Sequence, residues 1–211
     1  MDMFVCQLDS GVLTFPPSRT IIEKEACLDN EEIVEVKLPA SAKMIGRRAF
    51  SGCKCLESVS FHHGIQEIKR FAFENTFKLT HIDLPESITR ICSAAFWGSG
   101  LEDIRIPGSV KDIEEYTFTE CQNLKSVVLE FGVERISFRA FDRCTSLESV
   151  YVPGSMKVIA EEAFSGCEKL KRVELPRGCE VMPSAFPTGC EVVYLTPEQQ
   201  ILASFTRVFK K

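Results

Sequence analysis

The sequence predicts an α/β solenoid of about eight 23-residue coils, with a parallel sheet on the concave side and short helical or 3₁₀ pieces on the convex side. The first observation is a phenylalanine that recurs every 22 or 23 residues, at Phe50, Phe73, Phe96, Phe118, Phe141, Phe164 and Phe186. The second is that several other columns keep the same step, and the third is that the pattern weakens towards both ends. A fixed period of this length is typical of repeat proteins, in which each unit buries its apolar face only against its neighbours.

Each unit begins with a segment that predicts a β-strand. The pattern is L-x-x-V-x-L, as at Leu124, Val127 and Leu129. Apolar and polar positions alternate there, which is typical of a strand with one buried face. A proline follows and ends the strand, because proline cannot donate a hydrogen bond to a neighbouring strand. The prolines in this column are Pro85, Pro107, Pro153 and Pro176.

The second half of each unit, I-x-x-x-A-F-x-x-C, predicts a helical turn or a short 3₁₀ segment. Its apolar residues are spaced four, one and three positions apart, as at Ile159, Ala163, Phe164 and Cys167. Stacking the coils would place phenylalanine on phenylalanine and leucine on leucine. The sequence therefore predicts one continuous core along the whole stack.

Residues 1–195 are predicted to form the solenoid, with degenerate N-terminal coils in which Phe4 takes the first phenylalanine position. Residues 196–211 are predicted to form an amphipathic C-terminal helix that begins at Thr196-Pro197-Glu198-Gln199, with threonine as the cap. Its apolar face would consist of Ile201, Leu202, Phe205, Val208 and Phe209. Two roles stay open: the helix caps the stack, or it mediates self-association or contact with a lipid surface, helped by Arg207, Lys210 and Lys211.

The repeat unit resembles the leucine-rich repeat of the BspA-like or Treponema-pallidum-type class. Leu147–Pro153 and Ile159–Cys167 match its pattern closely, and the resemblance covers roughly residues 12–195. The resemblance implies a leucine-rich repeat solenoid that serves as a binding scaffold, often on microbial surfaces, with no catalytic residues to carry over. The asparagine usual after the strand is replaced, so backbone or water contacts are expected to satisfy that turn. The replacing residues are Ser41, Gly64, Ser87, Ser109, Gly132, Ser155 and Gly178.

Composition narrows the classes of partner. The chain has 25 Lys+Arg against 30 Asp+Glu, a formal net charge of −5, which argues against nucleic acid as a partner. No stretch of apolar residues is long enough to predict a transmembrane segment, and the start Met1-Asp2-Met3-Phe4 does not predict a secretory signal. Location stays open, since reduced thiols fit the cytoplasm whereas the resemblance suggests a cell surface or periplasm.

Ten cysteines raise the alternatives of a disulfide scaffold or a metal site. Four of them, Cys53, Cys121, Cys144 and Cys167, lie three residues after the repeat phenylalanine, which predicts buried, reduced packing residues. Cys53-Lys54-Cys55 and His62-His63 flank a strand, which would hold Cys55 and His62 over about 20 Å apart, too far for shared zinc ligands. The sequence shows no catalytic triad pattern and no glycine-rich phosphate loop, so neither an enzyme nor a cofactor is predicted.

Binding is expected on the concave sheet, where two columns of each strand face solvent. Val128 and Tyr151 are neighbours on adjacent coils, and both are apolar in an exposed column where most other coils carry polar residues. Phe131 lies just past the strand of Val128. These three predict an apolar interaction patch for a protein partner, with self-association into a homo-oligomer as the alternative. The further candidates on this face are His81, Arg105, Ser126, Ser149 and Arg172, for which a solvated sheet surface is the alternative. Outside the strands, the aromatic residues Phe71, Phe77, Trp97, Tyr116 and Phe138 are expected to pack between coils or to form a second contact surface.

Overall fold

The computed structural model describes residues 6–208, and their side chains through residue 202. Two sets of short strands run along the stack. The concave sheet consists of β1 (Gln7–Asp9), β2 (Val12–Thr14), β4 (Glu35–Lys37) and β6 (Ser58–Ser60), followed by β9 (Asp103–Ile106), β11 (Ser126–Leu129), β13 (Ser149–Tyr151), β15 (Arg172–Pro176) and β17 (Glu191–Leu195). The second sheet consists of β3 (Ile21–Ile22), β5 (Met44–Ile45), β7 (Glu67–Ile68) and β8 (Arg90–Ile91), followed by β10 (Asp112–Ile113), β12 (Arg135–Ile136), β14 (Val158–Ile159) and β16 (Glu180–Val181).

The strands pair in the register that the repeat predicts. Val127 of β11 lies between Ile104 of β9 and Val150 of β13, and all three belong to one sequence column. From β2 to β17 every pairing is parallel, so successive coils add strands side by side to each sheet, except in the coil of residues 79–85, which has no concave strand. The predicted solenoid of about eight coils is confirmed.

The N-terminal edge of the concave sheet ends in a hairpin. Strand β1 pairs antiparallel with β2 through Ser10 and Gly11, whose φ angles are 48° and 84°. Two left-handed residues between two strands form the tight turn whose twist suits a hairpin. The first predicted phenylalanine position, Phe4, lies outside the described residues.

The phenylalanine column forms the centre of the core. From Phe50 to Phe164 the repeat phenylalanines are fully buried and stack on one another, with ring centroids 5.1–5.4 Å apart and interplanar angles of 2–13°. At the C-terminal end Phe186 continues the stack at 5.2 Å but is only half-buried. The spacing matches that of neighbouring strands, about 4.8 Å, so the rings and the sheets share one repeat.

The convex segments differ from the helical or 3₁₀ pieces that their spacing predicts, because each is a series of turns. In the coil around Phe50, Arg48 and Gly52 have φ angles of 54° and 73°, and most coils repeat this left-handed pair. A left-handed residue every fourth position interrupts a helix. Backbone N–H groups alternate instead: Ala49 donates to Gly46 within the coil, whereas Phe50 donates to Ala72 of the next coil at 2.9 Å.

Serine hydroxyls replace the asparagine ladder after the concave strands. The hydroxyl of Ser87 donates to the carbonyl oxygen of Ile65 at 2.6 Å, and that of Ser109 donates to Ile88 at 2.6 Å. Ser155 donates in the same way within the stack, to Val133 at 2.8 Å. Side chains therefore satisfy part of the turn for which backbone or water contacts were expected.

The cysteine column lies inside the core, as predicted. The thiols of Cys121, Cys144 and Cys167 each donate to the carbonyl oxygen of the repeat phenylalanine in the preceding coil at 3.1 Å. Thr76 and Ser99 occupy the same column in the coils of Phe73 and Phe96. Burial raises the pKa of the Cys121 thiol to about 12, which keeps it protonated and unreactive. All ten cysteines are free thiols in the structure.

Both sheets are interrupted in the middle of the stack. Residues 79–85 form no strand, so the concave sheet breaks between β6 and β9, and the second sheet breaks between β8 and β10. Here the carboxylate of Glu114 bridges the coils by accepting hydrogen bonds from the Ser93 N–H at 2.8 Å and from Arg90 Nε at 2.7 Å. Burial alone raises the pKa of Glu114, but the hydrogen bonds from Arg90 and Ser93 outweigh it and lower that pKa.

The C-terminal helix α1 (Pro197–Val208) begins with the predicted capping box. The Thr196 N–H donates to Gln199 Oε1 at 2.8 Å, and the Gln199 N–H donates to Thr196 Oγ1 at 3.3 Å. Ile201 and Leu202 are 57% and 65% exposed. The rest of the predicted apolar and basic faces, from Phe205 onwards, lies outside the described side chains. Among the described residues, no helix is both long and apolar enough to cross a membrane.

Candidate functional site

The predicted apolar patch lies on adjacent strands of the concave sheet. Val128 of β11 pairs in register with Tyr151 of β13, and both side chains are half-buried. On either side the same column continues with Arg105 and Glu174, so charged residues flank the apolar pair. Ser126 and Ser149 pair in the neighbouring exposed column.

Phe131 projects from the turn that follows β11. It is 80% exposed, which is the largest exposure of any large apolar residue among those that the structure describes. The turn beneath it is held closely, because Gly132 has a φ of 118° and its N–H donates to Ser155 Oγ at 2.8 Å. A Cβ atom on Gly132 would lie 2.3 Å from the carbonyl oxygen of Gly108, so the two turns are in direct contact. A rigid turn therefore presents an aromatic ring to solvent.

A small cavity lies beside this patch, between the sheet and the first turn of α1. Its volume is about 170 Å³, and its lining includes Ser149, Tyr151, Gly154, Arg172, Leu195 and Gln200. The first turn of α1 closes one side, since Gln200 Oε1 lies 2.8 Å from the position of a Cβ atom on Gly154. Leu195 and Gln200 were not predicted to belong to this site. Leu195 ends β17, where the repeat pattern has degenerated although it still pairs with Pro176, and Gln200 lies in the tail, outside the repeat columns.

The charged candidates form ion pairs within the chain. Arg172 contacts Glu174 at 3.1 Å and Glu191 at 2.9 Å, and these hydrogen bonds raise the pKa of its guanidinium. Arg105 Nε donates to Glu130 at 2.8 Å, and its Nη2 lies 3.1 Å from Glu86. Because carboxylates neutralise both guanidinium groups, these arginines form ordinary surface ion pairs and not a site prepared for an anion.

His81 lies apart from the apolar patch. Its ring nitrogens each lie 3.2 Å from a carboxylate oxygen, one of Asp83 and one of Asp103, in the coil where the concave sheet is interrupted. The coil of Asp103 separates it from Ser126 and Val128. The structure thus places Tyr151, Ser149 and Arg172 on the lining of one cavity, with Val128 on the neighbouring strand and Phe131 in the turn after that strand, and it leaves His81 elsewhere.

Three of the aromatic residues outside the strands pack on one another. Tyr116 stacks on Trp97 at 5.7 Å and contacts Phe138 edge-on at 5.6 Å, and Arg139 lies 5.0 Å from the Phe138 ring centroid. Phe77 differs, because it is 53% exposed. Within residues 6–208, no group of three His, Cys, Asp or Glu side chains is arranged to hold a metal ion.

Comparison with known proteins agrees with this architecture. The sequence profile of the BspA type Leucine rich repeat region (6 copies) matches residues 20–108 and 89–211. The T. pallidum Leucine Rich Repeat protein is similar in structure, with a TM-score of 0.70 and 28% identity over 76% of this chain and 78% of that one. A leucine-rich repeat protein from Bacteroides ovatus shares the fold, with a TM-score of 0.59 and 22% identity over 88% of this chain and 63% of that one. Among curated proteins, no significant sequence match was found. The chain belongs to the BspA-type leucine-rich repeat family.

Proposed function

We propose that this chain is a non-catalytic scaffold that binds another protein through the C-terminal half of its concave sheet. The family consists of repeat scaffolds typical of protein–protein interaction. The observation that carries the proposal is the concave patch, defined as Val128, Tyr151 and Phe131, in which an 80% exposed ring stands on a rigid turn. An aromatic residue held in solvent by a fixed backbone loses little conformational entropy when a partner covers it. Such residues are the usual anchors of interfaces.

The neighbouring cavity indicates what the partner contributes. Its volume of about 170 Å³ is below the range of small-molecule sites, about 300–1,000 Å³. It is close to the roughly 150 Å³ of an apolar cavity that holds one benzene molecule. A single aromatic or aliphatic side chain of the partner would fill it. The ion pair of Arg172 with Glu174 lies on its lining and would exclude a second charged group.

The test is affinity purification from cells of the native host, with the wild-type protein and three variants as bait. The double variant Val128→Asp/Tyr151→Glu and the single variant Phe131→Ser should each lose a set of proteins that the wild type retains. Ser60→Glu is the matched control, because Ser60 lies in the column of Tyr151 but in the N-terminal half of the sheet. With the purified partner, we expect each patch variant to bind at least about 30-fold more weakly, as for a hot spot worth 2 kcal/mol.

Far-UV circular dichroism must first show native spectra for all variants. Equal retention of the same proteins by the double variant and the wild type would remove the concave patch from consideration. If Ser60→Glu loses binding and the patch variants keep it, the contact surface lies in the N-terminal half of the sheet. Adhesion to a host or neighbouring cell is the form of recognition that the family resemblance implies. Beads coated with wild-type protein, but not with the double variant, should then adhere to such cells.

Self-association is the second candidate. Phe131 and the 170 Å³ cavity lie on adjacent coils of one face, so a two-fold axis between them would insert each ring into the cavity of the other copy. Sedimentation equilibrium should then show a dimer that Phe131→Ser converts to a monomer. A monomeric wild type at all concentrations would contradict it.

For the C-terminal helix, a chain ending at Glu198 separates the roles: unfolding supports a cap, whereas a folded chain that no longer sediments with anionic vesicles supports lipid contact.

A further inference from the structure

One coil of the solenoid has a shortened step between its phenylalanine and the leucine that follows. Between the phenylalanine column and the following leucine column the regular coils span six positions, for example from Phe118 to Leu124. From Phe96 to Leu101 the step is five. The missing residue falls in the loop that precedes strand β9, at Gly98-Ser99-Gly100.

The shortened loop is drawn tightly against the preceding coil. The N–H of Gly100 donates to the carbonyl oxygen of Thr76 at 3.0 Å. A Cβ atom on Gly100 would lie 1.9 Å from the carbonyl oxygen of Phe77, so only glycine fits at this position. Gly98 has a φ of 64°, and the Asn75 Oδ1 atom lies 2.6 Å from the position of its missing Cβ. The backbone of Gly98 and Gly100 therefore lies closer to the preceding coil than a six-residue loop would, and the Asn75 side chain packs on Gly98.

Beside the receding loop the surface has a cavity of about 310 Å³. The coil before it contributes Asn75 and Phe77, and the coil after it contributes Glu120, Gln122 and Asn123. Phe77 is 53% exposed in a column where other coils carry polar residues, namely Lys54, Gln122, Thr145 and Glu168. The position has no need of an apolar side chain for packing, since polar residues serve in the other coils.

We propose that this cavity binds the terminal one or two hexose rings of a neutral glycan. The exposed face of Phe77 can stack on the C–H face of a pyranose ring. The two asparagines and Gln122 offer paired donors and acceptors that suit neighbouring sugar hydroxyls. The cavity volume is at the lower limit of small-molecule sites, about 300 Å³. Among the described lining residues, Glu120 contributes a carboxylate and no lysine or arginine is present, which disfavours sialylated or sulfated sugars.

The site is separate from the concave patch. The shortened loop precedes the concave strands, whereas Phe131 follows β11, so the two lie at opposite edges of the sheet. Glycan binding and protein binding can therefore succeed or fail independently. The same variants distinguish them, because Phe131→Ser alters only the concave patch and Phe77→Lys alters only the cavity.

The experiment is a sugar titration of the isotope-labelled full chain, in which NMR measures the change in each amide chemical shift. The probes are methyl β-D-glucopyranoside, methyl β-D-galactopyranoside and methyl α-D-mannopyranoside, followed by cellobiose, lactose and maltose. At least one neutral sugar should shift the amides of Gly98 and Gly100. Phe77→Lys, which copies Lys54 of the regular repeat, should weaken binding at least about tenfold through loss of the aromatic contact. Phe131→Ser should leave binding unchanged.

A second variant fills the cavity without altering Phe77. Replacing Gly98-Ser99-Gly100 by the four residues Glu-Cys-Gln-Asn of the following coil restores the six-residue step and should abolish binding. The proposal is wrong if no neutral sugar shifts these amides at millimolar concentration, or if Phe77→Lys binds as tightly as the wild type. Binding of 3′-sialyllactose in preference to lactose would also overturn it. So would saturation of the cavity by an aromatic peptide such as acetyl-Phe-amide when no sugar binds.

Discussion

Replacing Phe141 by alanine tests how far each coil depends on its neighbours. Phe141 is fully buried and stacks on Phe118 at 5.2 Å and on Phe164 at 5.1 Å. Truncating a buried phenylalanine costs about 3–5 kcal/mol, since transfer energy is lost and a cavity remains. Phe186 is the matched control, because it is half-buried and stacks on one ring, Phe164. With a ring that is partly exposed and one stacking neighbour in place of two, Phe186→Ala should cost less, roughly 1.5–2.5 kcal/mol.

Urea unfolding followed by circular dichroism measures both free energies. For a chain of this size each kcal/mol corresponds to about 2–4 °C in Tm, so Phe141→Ala should melt roughly 6–20 °C below the wild type. Because stability in a solenoid comes from interfaces between neighbouring coils, the central variant should also unfold less cooperatively, with a lower m-value. If Phe186→Ala destabilises the protein as much as Phe141→Ala, position in the stack does not govern the cost, and the reasoning fails.

Three further predictions concern the core, the mid-stack break and the shortened loop. Cys121, whose pKa burial raises to about 12, should resist alkylation at pH 9 in the native protein and react after unfolding, as mass spectrometry of its peptide would show; rapid native labelling would contradict this. The lowered pKa of Glu114 makes its stabilisation complete at neutral pH and lost as the pH falls below the ordinary value of 4.5. Glu114→Gln should therefore melt below the wild type at pH 7 with a difference that shrinks in acid, and a constant difference in calorimetry would refute this. Gly100→Ala should lower the free energy of unfolding in urea by about 1–3 kcal/mol, because its Cβ would clash with the Phe77 carbonyl, whereas an unchanged midpoint would show that the loop can move.

The solenoid could be predicted from the sequence because each apolar column recurs in nearly all of the roughly eight coils. A single leucine-to-strand assignment is weak, but Val127, Ile104 and Val150 recur at one step and pair in that register. The turns on the convex side could not be predicted in the same way. Their left-handed positions include Arg48 and Tyr116, residues with no intrinsic preference for positive φ. The N–H groups that bond to the next coil impose these angles, and this information lies between coils.

The candidate site was predictable only where a residue departs from its column. Phe131 was identified because it replaces a turn residue, and its exposure agrees with a contact role. Its surroundings were not predictable, since Gln200 comes from the tail and reaches Gly154 across two coils. The ion pairs of Arg105 with Glu86 and Glu130 were hidden for a related reason, because they join different coils through exposed side chains.

Departures at exposed positions carry more functional information in this fold than departures in the core. A change in a buried column must find partners inside the core: the Thr76 hydroxyl donates to the Phe73 carbonyl oxygen of its own coil, and the Ser99 hydroxyl lies 3.3 Å from the Cys121 thiol. A change at an exposed column meets no such demand, so a large apolar residue there is a candidate for contact with a ligand. Phe77 and Phe131 are both of this kind, and they lie at opposite edges of one sheet. Under the two proposals made above, a ligand at Phe77 would leave Phe131 accessible, so one short solenoid would hold two ligands at once.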